Sequence, residues 1–423
     1  MNMLCHNLKE AFLNQFILKV PYNNEQIILF NRTNGAIFLL KEFEYDTIVS
    51  KNICDEELYN NITESGIISF NNIVLDTDCD NFLLTIELST ICNFKCTYCY
   101  QNCFEYRPVI TQQILDNIYL YIENIFISDE HIRNLIVGFI GGEPMLHIDT
   151  VYNIIKKIDN LCTKYKREVS YHIDTNGSID FSELFNFHNN IEVSVSLSLE
   201  KDHLTNRPFP GGNSFEICTS NLKKLSNSKN RLSIRYNTNH LNIHNFEEFV
   251  LYVKNNLPQV YNIDPMYTDN YDYNLFLNKL SISEFSSWNS SKAIDILIKY
   301  NFPITGSISS QLKLCSAYQP YSCKIYADGY ITLCDSMFHQ KDLHISALSR
   351  NPPLLNKSFK QYKTYNPTYD TECSKCYKLV QCHGKQFCRK NICEYTRRYE
   401  EELFISRYVY YCEKGLAYHF VNM

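Results

Sequence analysis

The chain has 423 residues, more than one ordinary hydrophobic core holds, so roughly two or three domains are expected. Apolar residues make up 45% and charged residues 20%, which excludes wholesale disorder. Forty basic against 46 acidic side chains leave a net charge of −6, no footprint for bulk nucleic-acid binding. No run nears the ~18 apolar residues of a membrane helix, and residues 1–6 lack an apolar signal-peptide core, so a cytoplasmic protein without a membrane span is expected.

In chain order, apolar runs at 26–30 and 36–40 flank Asn34-Gly35, a dipeptide that tolerates positive φ and signals a hairpin. Helices are expected at Glu42–Ser50 and Asp55–Glu64, then Gly66 and a short strand, Ile67–Phe70. Residues 1–80 therefore read as a winged-helix-like module, with simple N-terminal packing against the core as the alternative. From residue 83 strands and helices alternate. Strands are expected at Leu83–Leu88, Leu135–Ile140, Val169–Asp174, Val193–Leu199, Leu232–Asn237 and Tyr261–Met266. Thr111 can cap a helix carrying Ile114, Leu115, Ile118, Ile122 and Ile125, and Asp149 one carrying Ile154, Ile155, Ile158 and Leu161. Six β-then-α units imply an α/β fold with a parallel sheet, a partial (β/α)6 TIM-like barrel over residues 81–310. Such barrels carry their chemistry at the C-terminal ends of the strands. Residues 311–423 are cysteine-rich, and their clear local feature is a hairpin, Lys324–Leu333, turning at Asp328-Gly329.

Cysteine is the informative residue. There are 18, nine of them between Cys315 and Cys412. In a large cytosolic chain, tight cysteine spacings read as metal or cluster sites rather than disulfides. Cys5, Cys54, Cys79, Cys162 and Cys218 stand alone and read as small buried hydrophobes. Cys92, Cys96 and Cys99 follow the first barrel strand. Three cysteines on one short loop can hold three irons of a [4Fe–4S] cube and leave the fourth iron open. A structural zinc site wants four ligands, which Cys103 could complete.

Cys92-x3-Cys96-x2-Cys99 resembles the signature of radical S-adenosylmethionine (SAM) enzymes. The resemblance implies that the open iron chelates the methionine part of SAM. An electron then releases a 5′-deoxyadenosyl radical that removes a substrate hydrogen atom. Tyr98 matches the aromatic near the adenine. Gly141-Gly142-Glu143-Pro144 resembles the family's GGEP segment, which holds the SAM amino group through a carboxylate and close backbone. Thr175-Asn176-Gly177 resembles a segment lining the SAM site. Ser196 and Arg207 match ribose and carboxylate contacts, with His203 and Asn206 nearby, although Ser198-Leu199 replaces the usual Asp-Gly pair.

Cys315-x7-Cys323-x10-Cys334, then Cys373-x2-Cys376-x5-Cys382-x5-Cys388 and Cys412, resemble the SPASM extension with its two auxiliary [4Fe–4S] clusters. On spacing alone zinc is the alternative. The Cys382–Cys388 interval has five intervening residues where relatives usually have three. The resemblance implies Cys315, Cys323, Cys334 and Cys388 for one cluster, with Cys393 competing for the last place. Cys373, Cys376, Cys382 and Cys412 form the other. Asp335 directly follows Cys334, as the catalytic acidic residue does in anaerobic sulfatase maturases. The resemblance covers about residues 83–415 and implies SAM, three [4Fe–4S] clusters, a precursor peptide or protein substrate, and an electron donor such as flavodoxin or ferredoxin. The expected function is a peptide maturase that installs a thioether or carbon–carbon cross-link. The alternatives are a sulfatase maturase making formylglycine from Cys or Ser, and a scaffold without turnover.

Overall fold

A computed structural model describes residues 2–14, 16–22, 24–31, 36–51, 53–70, 80–99, 101, 107–225, 230–268, 276, 278–303, 321–333 and 343–350. The chain opens with α1 (Asn2–Phe12), β1 (Ile17–Pro21), β2 (Gln26–Asn31), β3 (Ile37–Lys41), α2 (Glu42–Lys51) and α3 (Glu56–Glu64). The three strands form an antiparallel meander in the order β1-β2-β3. The hairpin and both later helices were legible; α1 and β1 were not. β1 is short, carries Lys19 and ends in Pro21, so no clean alternation marks it until β2 supplies the partner. Asp55 caps α3 by accepting from the Leu58 N–H at 2.7 Å. The expected strand Ile67–Phe70 is instead a turn and an extended tail. Its carbonyls bond the Asn31 side chain, whose Nδ2 donates to Ile67 O at 2.8 Å and Ser69 O at 3.0 Å. Both faces of the meander bury apolar residues: Leu8, Phe12, Ile27, Leu29, Ile48 and Ile62 form one cluster, and Leu18, Val20, Ile28 and Phe30 another.

The second unit is β4 (Asn81–Glu87), α4 (Gln112–Ser128), β5 (Asn134–Ile140), α5 (Ile148–Tyr165), β6 (Glu168–Thr175), α6 (Ser182–Phe187), β7 (Ile191–Ser196), α7 (Glu200–Asn206), α8 (Ser214–Lys223), β8 (Arg231–Thr238), α9 (Phe246–Asn256), β9 (Asn262–Tyr267), α10 (Ile282–Trp288) and α11 (Ile294–Lys299). It continues into β10 (Ser322–Ile325), β11 (Tyr330–Thr332), β12 (Leu343–His344) and α12 (Ile345–Arg350). The nine strands run β12-β11-β10-β4-β5-β6-β7-β8-β9, parallel from β10 to β9. This is the expected α/β partial barrel, open between β12 and β9.

Strand residues facing the helices are apolar and buried, such as Phe82, Leu84 and Ile86 on β4 and Leu135, Val137 and Phe139 on β5. Thr111 caps α4 as expected, its hydroxyl accepting from Ile114 N–H at 3.3 Å. Asp149 does not cap α5. A 3₁₀ turn, Pro144–His147, runs straight into the helix and puts Asp149 in its first turn, where a carboxylate complements the helix dipole. β7 stops at Ser196, earlier than the apolar alternation through Leu199 suggested, because the chain turns to start α7.

The expected 324–333 hairpin forms, with Gly329 at φ +84°. It does more than close on itself: β10 pairs parallel with β4, and Glu87 accepts from Ala327 N–H at 3.3 Å. Among the described residues no helix is long and apolar enough to cross a membrane.

Asn31 is fully buried, so removing its amide leaves the Ile67 and Ser69 carbonyls without that donor. Asn31→Leu should lower stability by about 1–3 kcal/mol in urea unfolding.

Candidate active site at the strand ends

Directly after β4 the chain leaves the sheet as the loop that carries Cys92, Cys96 and Cys99, all three half-buried. This loop is tied down from two sides. Lys95 N–H donates to Pro208 O and Thr97 N–H to Asn206 O, each at 2.9 Å, which pins it to the end of α7. On the other side Gly142 N–H reaches Ser89 O at 2.8 Å and Glu143 N–H reaches Ile91 O at 2.9 Å. The approach is close enough to demand glycine. A Cβ on Gly141 would meet Ser89 O at 2.3 Å, and one on Gly142 would meet Ile91 O at 2.3 Å. The expected Gly-Gly segment is therefore the neighbour against which the cysteine loop is built.

Glu143 is fully buried, with both carboxylate oxygens engaged by the protein. Oε1 accepts from Met145 N–H at 2.9 Å and from the Thr175 hydroxyl at 2.6 Å; Oε2 accepts from Asn176 N–H at 2.6 Å. Burial raises its pKa against these hydrogen bonds, which favour the charged form. The carboxylate thus clasps the end of β6 to the end of β5, and the face turned toward the cavity is the Gly141-Gly142 backbone. Pro144 is buried at the start of the 3₁₀ turn. Asn176 extends the clasp to the cysteine loop: its Nδ2 donates to Asn93 Oδ1 at 2.8 Å and lies 3.7 Å from Cys92 Sγ.

A cavity of about 310 Å³ opens at the strand ends. Cys92, Cys96, Cys99, Tyr98, Gly141, Gly142, Asn176, Ser196 and Arg207, all expected site residues, line it together. Tyr98 accepts from Asn237 Nδ2 at 3.0 Å, and burial pushes its pKa up to about 12, so the phenol is neutral. Arg207 is 4% exposed, stacked 5.3 Å from the Phe94 ring, with Nη1 donating to Ser196 O at 2.6 Å. Its buried Nε has no partner within the protein. His203 wedges between Phe94 and Phe215; burial, helped by the nearby Arg207, holds it well below its usual pKa and therefore neutral.

The thiols are also shaped by burial, which raises Cys92 and pushes Cys96 up to about 11 despite the pull of Arg207. Among the described residues no three Cys, His, Asp or Glu side chains converge on a point as ligands of a single ion would. Cys218 lies nearby but donates its S–H to Asn176 O at 3.0 Å, a structural role.

The floor of the cavity holds residues the sequence reading missed. Arg235 Nη1 meets Asp174 Oδ2 at 2.8 Å, and His172 Nε2 lies 3.3 Å from Asp174 Oδ1. The available signal was polar alternation within the strands. His172 and Asp174 on β6, Ser194 and Ser196 on β7, and Arg235 and Asn237 on β8 recur every second residue and share the inner face.

Of the expected auxiliary ligands, Cys323 is described. It is 6% exposed on β10, in register with Leu84 and within reach of Tyr121 of α4 in the main core. Cys315, Cys334, Asp335, Cys373, Cys376, Cys382, Cys388, Cys393 and Cys412 lie outside the described residues, as does Cys103.

Residues 86–253 match the radical SAM superfamily. No curated protein matches the chain at a significant level. Among solved structures, anSMEcpe with bound AdoMet and Cp18Cys peptide is 17% identical with a TM-score of 0.51, covering 79% of this chain and 97% of its own. SuiB of Streptococcus suis bound to S-adenosylmethionine is 16% identical with a TM-score of 0.51, covering 88% and 95%. SuiB bound to precursor peptide SuiA is 15% identical with a TM-score of 0.50, covering 88% and 94%. These likenesses establish the fold. Most of the cavity lining lies within the residues that match the radical SAM superfamily, and the protein is an enzyme.

Two outcomes follow from this geometry. Gly142→Ala should displace the Ser89–Ile91 backbone and reduce the iron held after anaerobic reconstitution, measured by iron analysis. Burial keeps Cys92 and Cys96 protonated near neutral pH, so any iron held by these thiols would have to displace a proton from each. Apparent iron affinity should therefore rise with pH up to about 11, by as much as about tenfold per unit for each proton released.

Proposed function

We propose that this radical SAM enzyme is a peptide maturase that binds a [4Fe–4S] cluster through Cys92, Cys96 and Cys99 and SAM in the cavity beside it. The carrying observation is the convergence of three thiols, the bare Gly141-Gly142 backbone and the orphaned Arg207 Nε on one cavity at the strand ends. When bound, this pair supplies a one-electron cleavage of SAM that yields a 5′-deoxyadenosyl radical. The chain's own residues bind and orient. The Gly141-Gly142 backbone would lie beside the SAM ammonium, a role the engaged Glu143 carboxylate would serve only indirectly. Arg207 would meet the SAM carboxylate, Ser196 the ribose and Tyr98 the adenine. His203 and Phe94 keep the base of the loop dry, which strengthens each of these contacts.

The N-terminal unit supports a peptide substrate. Its three-stranded meander leaves β3 paired only with β2 among the described residues, and such an edge can take up an extended leader peptide as a fourth strand. SuiB, solved with precursor peptide SuiA, aligns over more of this chain than anSMEcpe does, 88% against 79%. Two auxiliary [4Fe–4S] clusters in residues 311–423, held by the cysteines named above, complete the proposal. Asp335 would then be the base that takes the substrate's proton. Flavodoxin or ferredoxin would supply the electron.

The test is anaerobic incubation of the reconstituted protein with SAM and the small peptides encoded beside its gene. A product lighter by two hydrogens, with no aldehyde trapped by a hydrazide, is the expected result. A hydrazide-reactive product would identify formylglycine instead. Removing residues 1–80 should abolish peptide binding while 5′-deoxyadenosine release continues; undiminished peptide modification would refute the recognition role.

A further inference from the structure

Arg235 has no place in the resemblance that pointed to Arg207, yet it faces the same cavity. It stands on β8, and its partner Asp174 stands on β6, two strands away. The strand between them offers serines at the crossing. Ser194 is in register with Asp174, and Ser196 with Arg235. These short side chains let the guanidinium lie across β7 and reach Asp174 Oδ2 at 2.8 Å. Both residues line the cavity with Cys92, Cys96 and Cys99.

The pair is built to be rigid. Asp174 is held on its other oxygen by His172 Nε2 at 3.3 Å. Burial opposes its charge, but His172 and Arg235 outweigh burial and bring its pKa down to about 2. The carboxylate therefore stays ionised and fixes the orientation of the fork.

Donor arithmetic shows what remains. A guanidinium carries five N–H groups in one plane. Asp174 takes Nη1, and among the described residues no other group bonds the Arg235 side chain. Its side chain is 33% exposed, enough to present a free edge. Arg207 is the contrast: both of its terminal nitrogens are engaged, Nη1 on Ser196 O and Nη2 3.5 Å from Asn176 O, and Nε is the nitrogen without a partner. A fork tied by the protein at both terminal nitrogens is badly placed to turn to both oxygens of a carboxylate; a fork tied at one is not. Arg207 and Arg235 are the only Lys or Arg side chains lining the cavity among the described residues. The ammonium and sulfonium of SAM would be repelled by them. Its α-carboxylate is the one anion it offers them.

We propose that Arg235, braced by Asp174, is a second carboxylate receptor of the cavity and grips the α-carboxylate of SAM together with Arg207. The assignment rests on the radical SAM reading of this cavity and adds a residue to it.

The experiment compares SAM with decarboxylated SAM, which keeps the adenosine, the sulfonium and the amine but lacks the anion. Binding of each to the reconstituted holoenzyme is measured by anaerobic equilibrium dialysis. Arg235→Gln should weaken SAM binding by about ten- to a hundredfold and change decarboxylated SAM by less than about twofold. Arg235→Lys, which keeps the charge and loses the fork, should fall between. Iron content and near-ultraviolet circular dichroism report whether each variant is intact. Should Asp174 left alone unsettle the fold, the double variant Asp174→Asn with Arg235→Gln removes the stranded charge and carries the same comparison. Equal losses for both ligands would make Arg235 a shaping residue and overturn the proposal, as would no loss for either. A wild-type holoenzyme that binds neither ligand would overturn the radical SAM reading itself.

Discussion

The contact on which the site depends is backbone against backbone. Gly141 and Gly142 come so near Ser89 and Ile91 that a single methyl group would occupy a carbonyl oxygen's place. Two hydrogen bonds, Gly142 N–H to Ser89 O and Glu143 N–H to Ile91 O, hold the approach. The cysteine loop begins at its far end, so the position of three thiols follows from the absence of two side chains. The same glycines leave bare backbone facing the cavity, where a ligand can come close. One geometric requirement thus both anchors the loop and opens the site.

A second set of contacts turns the strand ends into one rigid mouth. Glu143 links β5 to β6, Asn176 links β6 to Asn93 on the loop, and Thr97 and Lys95 link the loop to Asn206 and Pro208 beyond β7. Each joins elements distant in sequence, and the Glu143–Asn176 bond is buried, so losing either partner there would leave a polar group unpaired in a dry setting. Among the buried groups without partners, Arg207 Nε and both ring nitrogens of His203 lie in this region. Such unsatisfied atoms are tolerated where a ligand or a preorganised surface offsets them. Arg207 is itself part of the cavity lining, whereas His203 serves as an aromatic wedge beside Phe94.

The division between the two faces of the sheet explains how one fold carries both a core and a reactive chamber. Toward the helices the strands are continuous apolar surface. Toward the barrel axis β6, β7 and β8 alternate polar side chains, with Asp174, Ser194, Ser196 and Arg235 forming an ion pair laid over small hydroxyls. The β10–β11 hairpin extends this arrangement past β4. Its chain order would place it with the cysteine-rich segment, yet its hydrogen bonds join it to the barrel sheet.

Much of this architecture was readable from residue order alone, because the relevant signals are local. Alternating strands and helices, the cap at Thr111, the β2–β3 pairing, the turn at Asp328-Gly329, and the spacing of Cys92, Cys96 and Cys99 rest on backbone preferences and short-range periodicity. Their reading needs no knowledge of neighbours. The strand assigned to Ile67–Phe70 failed because its carbonyls bond the side chain of Asn31, 36 and 38 residues away. β7 ended early because apolar alternation continues through Leu199 while the chain turns toward α7. The inward role of the Glu143 carboxylate, the loop's anchorage at Asn206 and the Asp174–Arg235 pair could not be read either. Each is a meeting of side chain or backbone across strands, and sequence separation carries no information about which strand ends will lie together. The sequence by itself determined the elements, the cysteine motif and the chemistry it suggests. Only the tertiary structure decided which polar groups are spent holding the site and which are left free to bind, because that depends on distances between atoms far apart in the chain.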